Sequence, residues 1–481
     1  MSSIQKRFSI PHVFIFLSGI ILVCGVLTYV IPSGKFERVT KTMGKVEQTV
    51  VIPGSYTEMP KHFSLKGLIL GETIDDMASP TSLLGLFTSI PKGMNQAASL
   101  IFFIFIIGAV LNLINHTGTI QVFLDVLMRQ FRGSPVLLSF IIYMFFAFGA
   151  TFLGMGAEFI PLIPVLLVIS KELGYDRIYG IGLLLVAEGI GWSTAITNPF
   201  NVQIAQKIAE VPIGSGILLR SVLFLICSAA GFMFLHQYGR RIKKDPKRRI
   251  MAGDPFIIEN TSAMSPGQLE RKHILIAITS AVLFAMILFA VQTMGWGLIE
   301  MTGGFFTVGL CTILISGMSG DESMKAFIKG LEMMIVPALI VGFARGIQVV
   351  LQDGLVIDTM LYHTAETLEK LPRLLAVEGM FVFQSLLNFL IPSASGQALV
   401  TMPLMVPLSD LLGVTRQTAV LAFISGDGFS NMIIPTNGVL MAMLGIAGVP
   451  FEKWFRFIYR LFIYLTLIAF AALVVAVLID Y

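Results

Sequence analysis

Long apolar runs broken by short polar turns dominate the chain. Residues 13–31, 97–115, 216–237, 273–294, 298–317, 334–351 and 453–479 are each close to the length that crosses a bilayer. Helices are expected there, because lipid offers no hydrogen-bond partner to a free backbone. Residues 118–132 differ: Ile120, Phe123, Leu124, Leu127 and Phe131 fall on one helical face, with Asp125 and Arg129 off it. That pattern predicts a helix lying along the interface, and 355–370 is a second amphipathic stretch. Two pairs of shorter apolar arms, 135–152 with 159–170 and 374–391 with 398–412, meet at tips. The first tip is Gly154-Met155-Gly156-Ala157-Glu158, and the second is Pro392-Ser393-Ala394-Ser395-Gly396-Gln397. The arm at 159–170 is too short to cross alone, so re-entrant hairpins are expected. Helices at 178–210 and 416–446 are interrupted at Thr197-Asn198-Pro199-Phe200-Asn201 and Pro435-Thr436-Asn437-Gly438. Proline removes a donor and clashes with the preceding turn, so the backbone opens there.

The two halves share this order, and one offset of 239 residues aligns them. It carries Gly156 to Ser395, Glu158 to Gln397, Pro164 to Pro403, Gly174 to Gly413, Glu188 to Asp427, Gly189 to Gly428, Thr197 to Thr436 and Asn198 to Asn437. Unrelated apolar segments share leucines easily, but not these residues in register.

Composition agrees with a membrane protein. Charged residues are 13% of the 481 and hydrophobic residues 55%, where a soluble domain carries about a quarter charged. The net charge of +4 sits mostly in loops, which speaks against nucleic-acid binding. Cys24, Cys227 and Cys311 lie in apolar runs as core residues, without disulfide or metal-ligand spacing. The first run follows Lys6 and Arg7 and has no small-x-small cleavage site after it. It reads as a transmembrane helix rather than a signal peptide.

Arg240, Arg241, Lys243, Lys244, Lys247, Arg248 and Arg249 form the strongest basic run, which belongs in the cytoplasm. That choice puts the amino terminus inside and the carboxyl terminus outside. It gives nine spans and two hairpins, the second hairpin entering from the opposite side. The expected fold is an all-α polytopic inverted-repeat transporter. Its parts are 1–96 (first helix and external segment), 97–237 (repeat 1), 238–333 (basic loop and two linking spans) and 334–481 (repeat 2). The external segment, about 32–96, is turn-rich, with Pro53, Pro60, Pro80 and Pro91.

Tips and breaks aim free backbone groups and helix dipoles at one place near the midplane. Carbonyls and carboxylates suit Na⁺ or H⁺ there, and helix N-termini suit a substrate carboxylate. Gly154, Gly156, Thr197, Asn198, Ser393, Ser395, Thr436 and Asn437 are the candidate cation site. Glu158, Asn198, Asn201, Ser395, Gln397, Asp427 and Asn437 are the candidate substrate site. Glu158, Glu188 and Asp427 are the candidate coupling carboxylates, since ionisable groups at membrane depth are costly and functional. Arg345 is the basic residue well inside a span, with structural pairing as its alternative reading. Three carboxylates against one arginine favour a cation as co-substrate.

An enzyme reading fails on its motifs. Ser425-Gly426-Asp427-Gly428 has Ile424 where an intramembrane aspartyl protease has glycine. No phosphate loop is present to support ATP-driven pumping.

Tyr29-Val-Ile-Pro-Ser-Gly-Lys-Phe-Glu37, Phe87-Thr-Ser-Ile-Pro-Lys-Gly-Met94, Gly154-Met-Gly-Ala-Glu158, Thr197-Asn-Pro-Phe200 and Pro435-Thr-Asn-Gly438 together resemble the YfcC family. That family is related to the DcuC-type C4-dicarboxylate carriers and the arginine/ornithine antiporters of the ion transporter superfamily. The resemblance implies a dimerising scaffold and a transport domain that moves as an elevator, often coupled to Na⁺ or H⁺. The family pattern has two acidic residues after the first tip, whereas here Glu158 is followed by Phe159. This departure weakens a cationic substrate by analogy. The expectation is therefore a cation-coupled secondary transporter of a small carboxylate-bearing solute, an amino acid before others. The alternatives are an arginine/ornithine-type exchanger and a C4-dicarboxylate carrier. The expected setting is a bacterial inner membrane, as a homodimer, with no cofactor beyond the coupling ion.

Overall fold

Apolar runs become helices wherever glycine, proline or a capping side chain lets the chain turn. The computed structural model describes residues 13–43, 46–120, 122, 134–251 and 270–481. The predicted interfacial helix at 118–132 falls mostly outside these residues. The first half holds α1 (Val13–Val30), α2 (Leu65–Ile69), α3 (Leu83–Gln96) and α4 (Ala98–His116). It continues with α5 (Pro135–Phe148), α6 (Ile163–Glu172), α7 (Arg177–Ser193), α8 (Val202–Ile208) and α9 (Ile217–Lys244). Two helices, α10 (Arg271–Met294) and α11 (Leu298–Ser316), follow. The second half holds α12 (Gly320–Met333), α13 (Ile335–Asp353), α14 (Ile357–Glu369), α15 (Arg373–Asn388) and α16 (Ala394–Leu411). It ends with α17 (Arg416–Asn431), α18 (Gly438–Ile446) and α19 (Phe451–Leu478). Among the described residues, seven helical segments are long and apolar enough to cross a membrane. One of them is α5 with the π-turn that extends it to Leu153.

The segment at about 32–96 holds more regular structure than its turn-rich sequence suggests. It contains four short strands: β1 (Ser33–Lys35) pairs with β4 (Thr57–Met59), and β2 (Arg38–Met43) with β3 (Val46–Val51). These pack on the second half. Ser33 Oγ donates to Gly354 O at 2.8 Å, and Asp358 accepts from Phe36 N at 2.9 Å and pairs with Arg38 at 2.8 Å. The segment also ends in a helix, α3, which runs into α4 with only Ala97 between them. Its partner in the second half is α12, which runs into α13 through Met334.

These helix pairs exchange contacts. A Cβ added to Gly93 of α3 would lie 2.6 Å from Gly342 O and Gly346 N of α13. A Cβ added to Gly330 of α12 would lie 2.5 Å from Gly108 O and the Ala109 Cα of α4. Small residues let the backbones approach this closely.

The same exchange recurs at the centre. There α7 crosses α17, a Cβ on Gly189 would meet Met432 Cγ at 2.2 Å, and a Cβ on Gly428 would meet Ser193 Cα at 2.4 Å. Gly189 and Gly428 hold the same register in the two halves, as do Ser193 and Met432. Each helix therefore presents its glycine to the other's later turn, as a two-fold axis between antiparallel copies requires. Both helices are buried along nearly their whole length, and Trp454 of α19 seals the crossing by donating to Met432 O at 2.8 Å.

Candidate functional site

Each broken helix stops where its own residues stop donating. α7 ends at Ser193 and α8 starts after Asn201, so the eight residues 194–201 around Pro199 are open. α17 ends at Asn431 and α18 starts after Asn437. The first tip bends at Gly154, whose φ is +69°. A side chain there would also strike Asn198 Oδ1 at 2.4 Å, so only glycine fits.

At the first break the polar side chains are spent on holding tip and break together. Asn198 is fully buried; its Nδ2 donates to Ala150 O at 3.2 Å, and its Oδ1 accepts from Phe200 N at 2.8 Å. Thr197 Oγ1 donates to Phe152 O at 3.0 Å, and Asn201 Nδ2 donates to Trp192 O at 2.9 Å. Trp192 Nε1 in turn donates to Met155 O at 2.9 Å. Arg220 of α9, also fully buried, donates to Ile196 O at 3.2 Å. A guanidinium thus already covers a carbonyl where the first break opens.

The second break is built differently. Asn437 Oδ1 accepts from Val439 N at 2.9 Å and Leu440 N at 3.1 Å, capping α18. Its Nδ2 donates to Asn431 Oδ1 at 2.9 Å. Asn388 of α15 donates to Asp427 O, Ser430 Oγ and Asn431 Oδ1 at 2.8, 2.8 and 2.9 Å. Ser393 Oγ accepts from Gly396 N at the start of α16, while the Ser395 side chain has no hydrogen-bond partner among the described residues. Gln397 Nε2 donates to Gln384 O at 2.9 Å and Oε1 at 2.7 Å. Among the described residues, three buried oxygens remain without a hydrogen-bond donor, Thr436 Oγ1, Asn388 Oδ1 and Gln397 Oε1, and the Asp427 carboxylate has only the Asn431 amide facing it. Buried polar atoms are normally satisfied, so an open set of oxygens marks a place for a cation or a substrate donor.

The carboxylates converge on the crossing. Glu188 lies close enough to both Glu158 and Asp427 for their charges to act on it. A Cβ on Gly156 would be 3.5 Å from Glu188 Oε1, so the first tip covers this carboxylate. Glu158 Oε2 turns back to accept from Gly156 N at 2.7 Å. Asp427 is fully buried, and Asn431, one turn on, faces it.

Arg345 lies on α13, which packs along α18. A Cβ on Gly445 would be 3.1 Å from Pro337, and one on Gly438 would be 3.2 Å from Val341. Moving along α13 therefore means moving back along α18 toward its first residue. Arg345 lies one turn past Val341 on that side of α13. Its side chain makes no hydrogen bond or ion pair among the described residues, and its Nε is buried. The pairing reading therefore has no partner to support it.

Asn388, Asn431, Gln384 and Trp192 belong to this network but were not singled out from the sequence. The repeat register hid Asn388 and Gln384, whose mates are Gly149 and Phe145. The usable signal was polarity itself: Asn388 and Gln384 interrupt an apolar arm on its buried side.

Comparison with known proteins bears on this geometry. The family model described as DcuC, C4-dicarboxylate anaerobic carrier, matches residues 10–478. The Escherichia coli protein named "Putative basic amino acid antiporter YfcC" is 31% identical, over 94% of this chain and 93% of its own length. An uncharacterized Haemophilus influenzae protein is 27% identical over 98% of both chains. Among solved structures, the Alcanivorax borkumensis YdaH transporter is similar over 98% of this chain and 99% of its own, at 17% identity and a TM-score of 0.41. The Neisseria gonorrhoeae MtrF structure is similar at 16% identity and a TM-score of 0.39, over 98% of this chain and 96% of its own.

Proposed function

We propose, for a chain that belongs to the DcuC family of C4-dicarboxylate anaerobic carriers, a role as a cation-coupled transporter of a small amino acid. That the chain is an integral membrane transporter rather than an enzyme follows from its family and its helices. The substrate, the ion and the motion are our reading.

The observation that carries it is the pair of opposite, unpartnered charges. Asp427 is buried with only the Asn431 amide facing its carboxylate, and Arg345, which we place toward the same break, has no counter-ion among the described residues. A lone charge at membrane depth is costly until something pairs with it. A zwitterion answers both: its carboxylate goes to Arg345 and its ammonium to the acidic side. Na⁺ or H⁺ is then the coupling ion, held by Thr436 and the other open oxygens of the second break, with Glu158, Glu188 and Asp427 as coupling carboxylates. The cation ligands are therefore concentrated in the second half. Thr197 and Asn198 act as struts, because their polar atoms are already engaged.

An elevator suits the construction. Helices α3, α4, α12 and α13 interlock through glycine contacts as a scaffold, likewise taken to dimerise. The tips and broken helices form the body that moves against it. The two hairpins are re-entrant in this reading, and the basic run after α9 faces the cytoplasm of a bacterial inner membrane.

Uptake of labelled amino acids into proteoliposomes, with and without Na⁺ and pH gradients, tests coupling. Accumulation that tracks one gradient is expected, and indifference to both refutes it. A second reading, exchange of basic amino acids, is favoured by the three carboxylates and by the name of the Escherichia coli relative. Counterflow that needs no gradient would select it. A C4-dicarboxylate fits less well, because it would face three acidic groups with one arginine.

A further inference from the structure

A second groove, with a volume of about 430 Å³, opens between the end of α9 and the start of α19. Arg241, Arg248, Arg456 and Arg460 line it, and among the described residues no lining side chain carries a carboxylate. Arg248 pairs with Asp245 at 3.2 Å, and Arg460 donates to Tyr459 Oη at 2.9 Å. The side chains of Arg241 and Arg456 have no hydrogen-bond or ion-pair partner among the described residues. Like charges gathered in one groove repel one another, and an anion relieves that repulsion.

Two features point to a lipid rather than a soluble anion. The floor is aromatic: the Phe457 ring lies 5.1 Å from Phe234 and 5.0 Å from Tyr238. Below the arginines, α19 also turns an apolar stripe outward, with Ile463 49%, Tyr464 56% and Leu467 58% exposed. On a helix long enough to span the bilayer, that stripe faces acyl chains.

We propose that this groove binds the phosphate headgroup of an anionic phospholipid, with the guanidiniums on phosphate oxygens and the acyl chains along Ile463, Tyr464 and Leu467. Guanidinium forks match phosphate oxygens two at a time, so four arginines suit a headgroup with two phosphates, such as cardiolipin. Basic pockets between spans are where such headgroups dock.

The test uses the full-length protein, stripped of lipid and followed by native mass spectrometry. It is titrated with cardiolipin, with phosphatidylethanolamine and with inorganic pyrophosphate. Cardiolipin adducts are expected where phosphatidylethanolamine gives none. R241Q/R456Q/R460Q should weaken them by about a hundredfold, at the usual gain per basic residue near an anionic headgroup. The lysine triple variant should keep part of the binding, and its unfolding temperature without lipid should match the native chain. If the glutamine triple does not fold, R456Q alone should weaken binding about fivefold. Equal retention of both lipids, or unchanged cardiolipin affinity in the glutamine variants, overturns the proposal. Pyrophosphate binding that cardiolipin does not match assigns the groove to a soluble phosphate and overturns it as well.

Discussion

Gly428→Ala places a methyl group where α17 meets the backbone of α7. The new Cβ would stand 2.4 Å from Ser193 Cα and 2.5 Å from Ser193 N. No rotamer change moves those atoms, so the two helices must part by about 1 Å to restore ordinary carbon contact of about 3.5–4.0 Å. That movement also strains the bond from Ser425 Oγ to Ser193 O, now 3.2 Å. Overpacking of this kind costs roughly 1–3 kcal/mol, and a backbone clash belongs at or above the upper end. The gain from alanine in a helix, about 0.5–1 kcal/mol, does not offset it.

Gly189→Ala is the internal control, since it occupies the same register position in the other half. The three atoms nearest its Cβ all belong to the Met432 side chain, Cγ at 2.2 Å, Sδ at 2.5 Å and Cε at 3.4 Å. Methionine has three rotatable bonds and yields, so the net cost should be within about 1 kcal/mol. Thermal unfolding in detergent should therefore rank Gly428→Ala well below Gly189→Ala. M432A should rescue Gly189→Ala, while S193G should leave Gly428→Ala impaired, because the struck atoms are backbone. Equal unfolding temperatures for the two alanine variants, or rescue by S193G, would refute the close crossing.

The other predictions concern the site. Asp427→Asn removes a buried charge and keeps an amide oxygen for Asn431 to donate to, so the unfolding temperature should hold or rise while gradient-driven accumulation is lost; accumulation at the native level would exclude Asp427 from coupling. Asn437→Ala removes the cap of α18, costing about 1 kcal/mol, and should abolish uptake. Asn437→Asp keeps the cap but loses the donor to Asn431 Oδ1, so it should recover only part of the stability and none of the uptake, which expression and transport assays separate. Asn198→Ala should lose uptake together with stability, since it frees Ala150 O and Phe200 N; normal uptake would remove the first break from the mechanism. Arg345→Gln should raise KM roughly 10- to 100-fold, the value of a hydrogen bond to a charged group, with Arg345→Lys between; an unchanged KM in proteoliposome uptake would show that Arg345 does not hold the substrate.

Periodicity and punctuation were enough to place most helices within a few residues. Pro199, Pro435 and the glycine tip announce themselves because each removes a donor or permits a left-handed turn. Leu83–Gln96 and Gly320–Met333 were missed for the opposite reason. Each is half a span, diluted by residues such as Pro91 and Lys92 or Asp321 and Glu322. Helices of that length are marginal alone, and these are buried only by packing against α13 and α4.

Sequence by itself determined that this is an apolar, helical chain with two like halves and paired Thr-Asn breaks, because hydrophobic period and residue register are local properties. Only the tertiary structure decided that the halves are chemically unequal. Asn198 and Asn437 share a register position, yet one is consumed by the carbonyl of Ala150 and the other caps a helix beside unpartnered oxygens. Whether a polar atom is satisfied depends on what the fold brings to it from elsewhere in the chain. Asn388 and Asn437 are 49 residues apart in sequence, and only the packing of their helices brings both onto the Asn431 side chain.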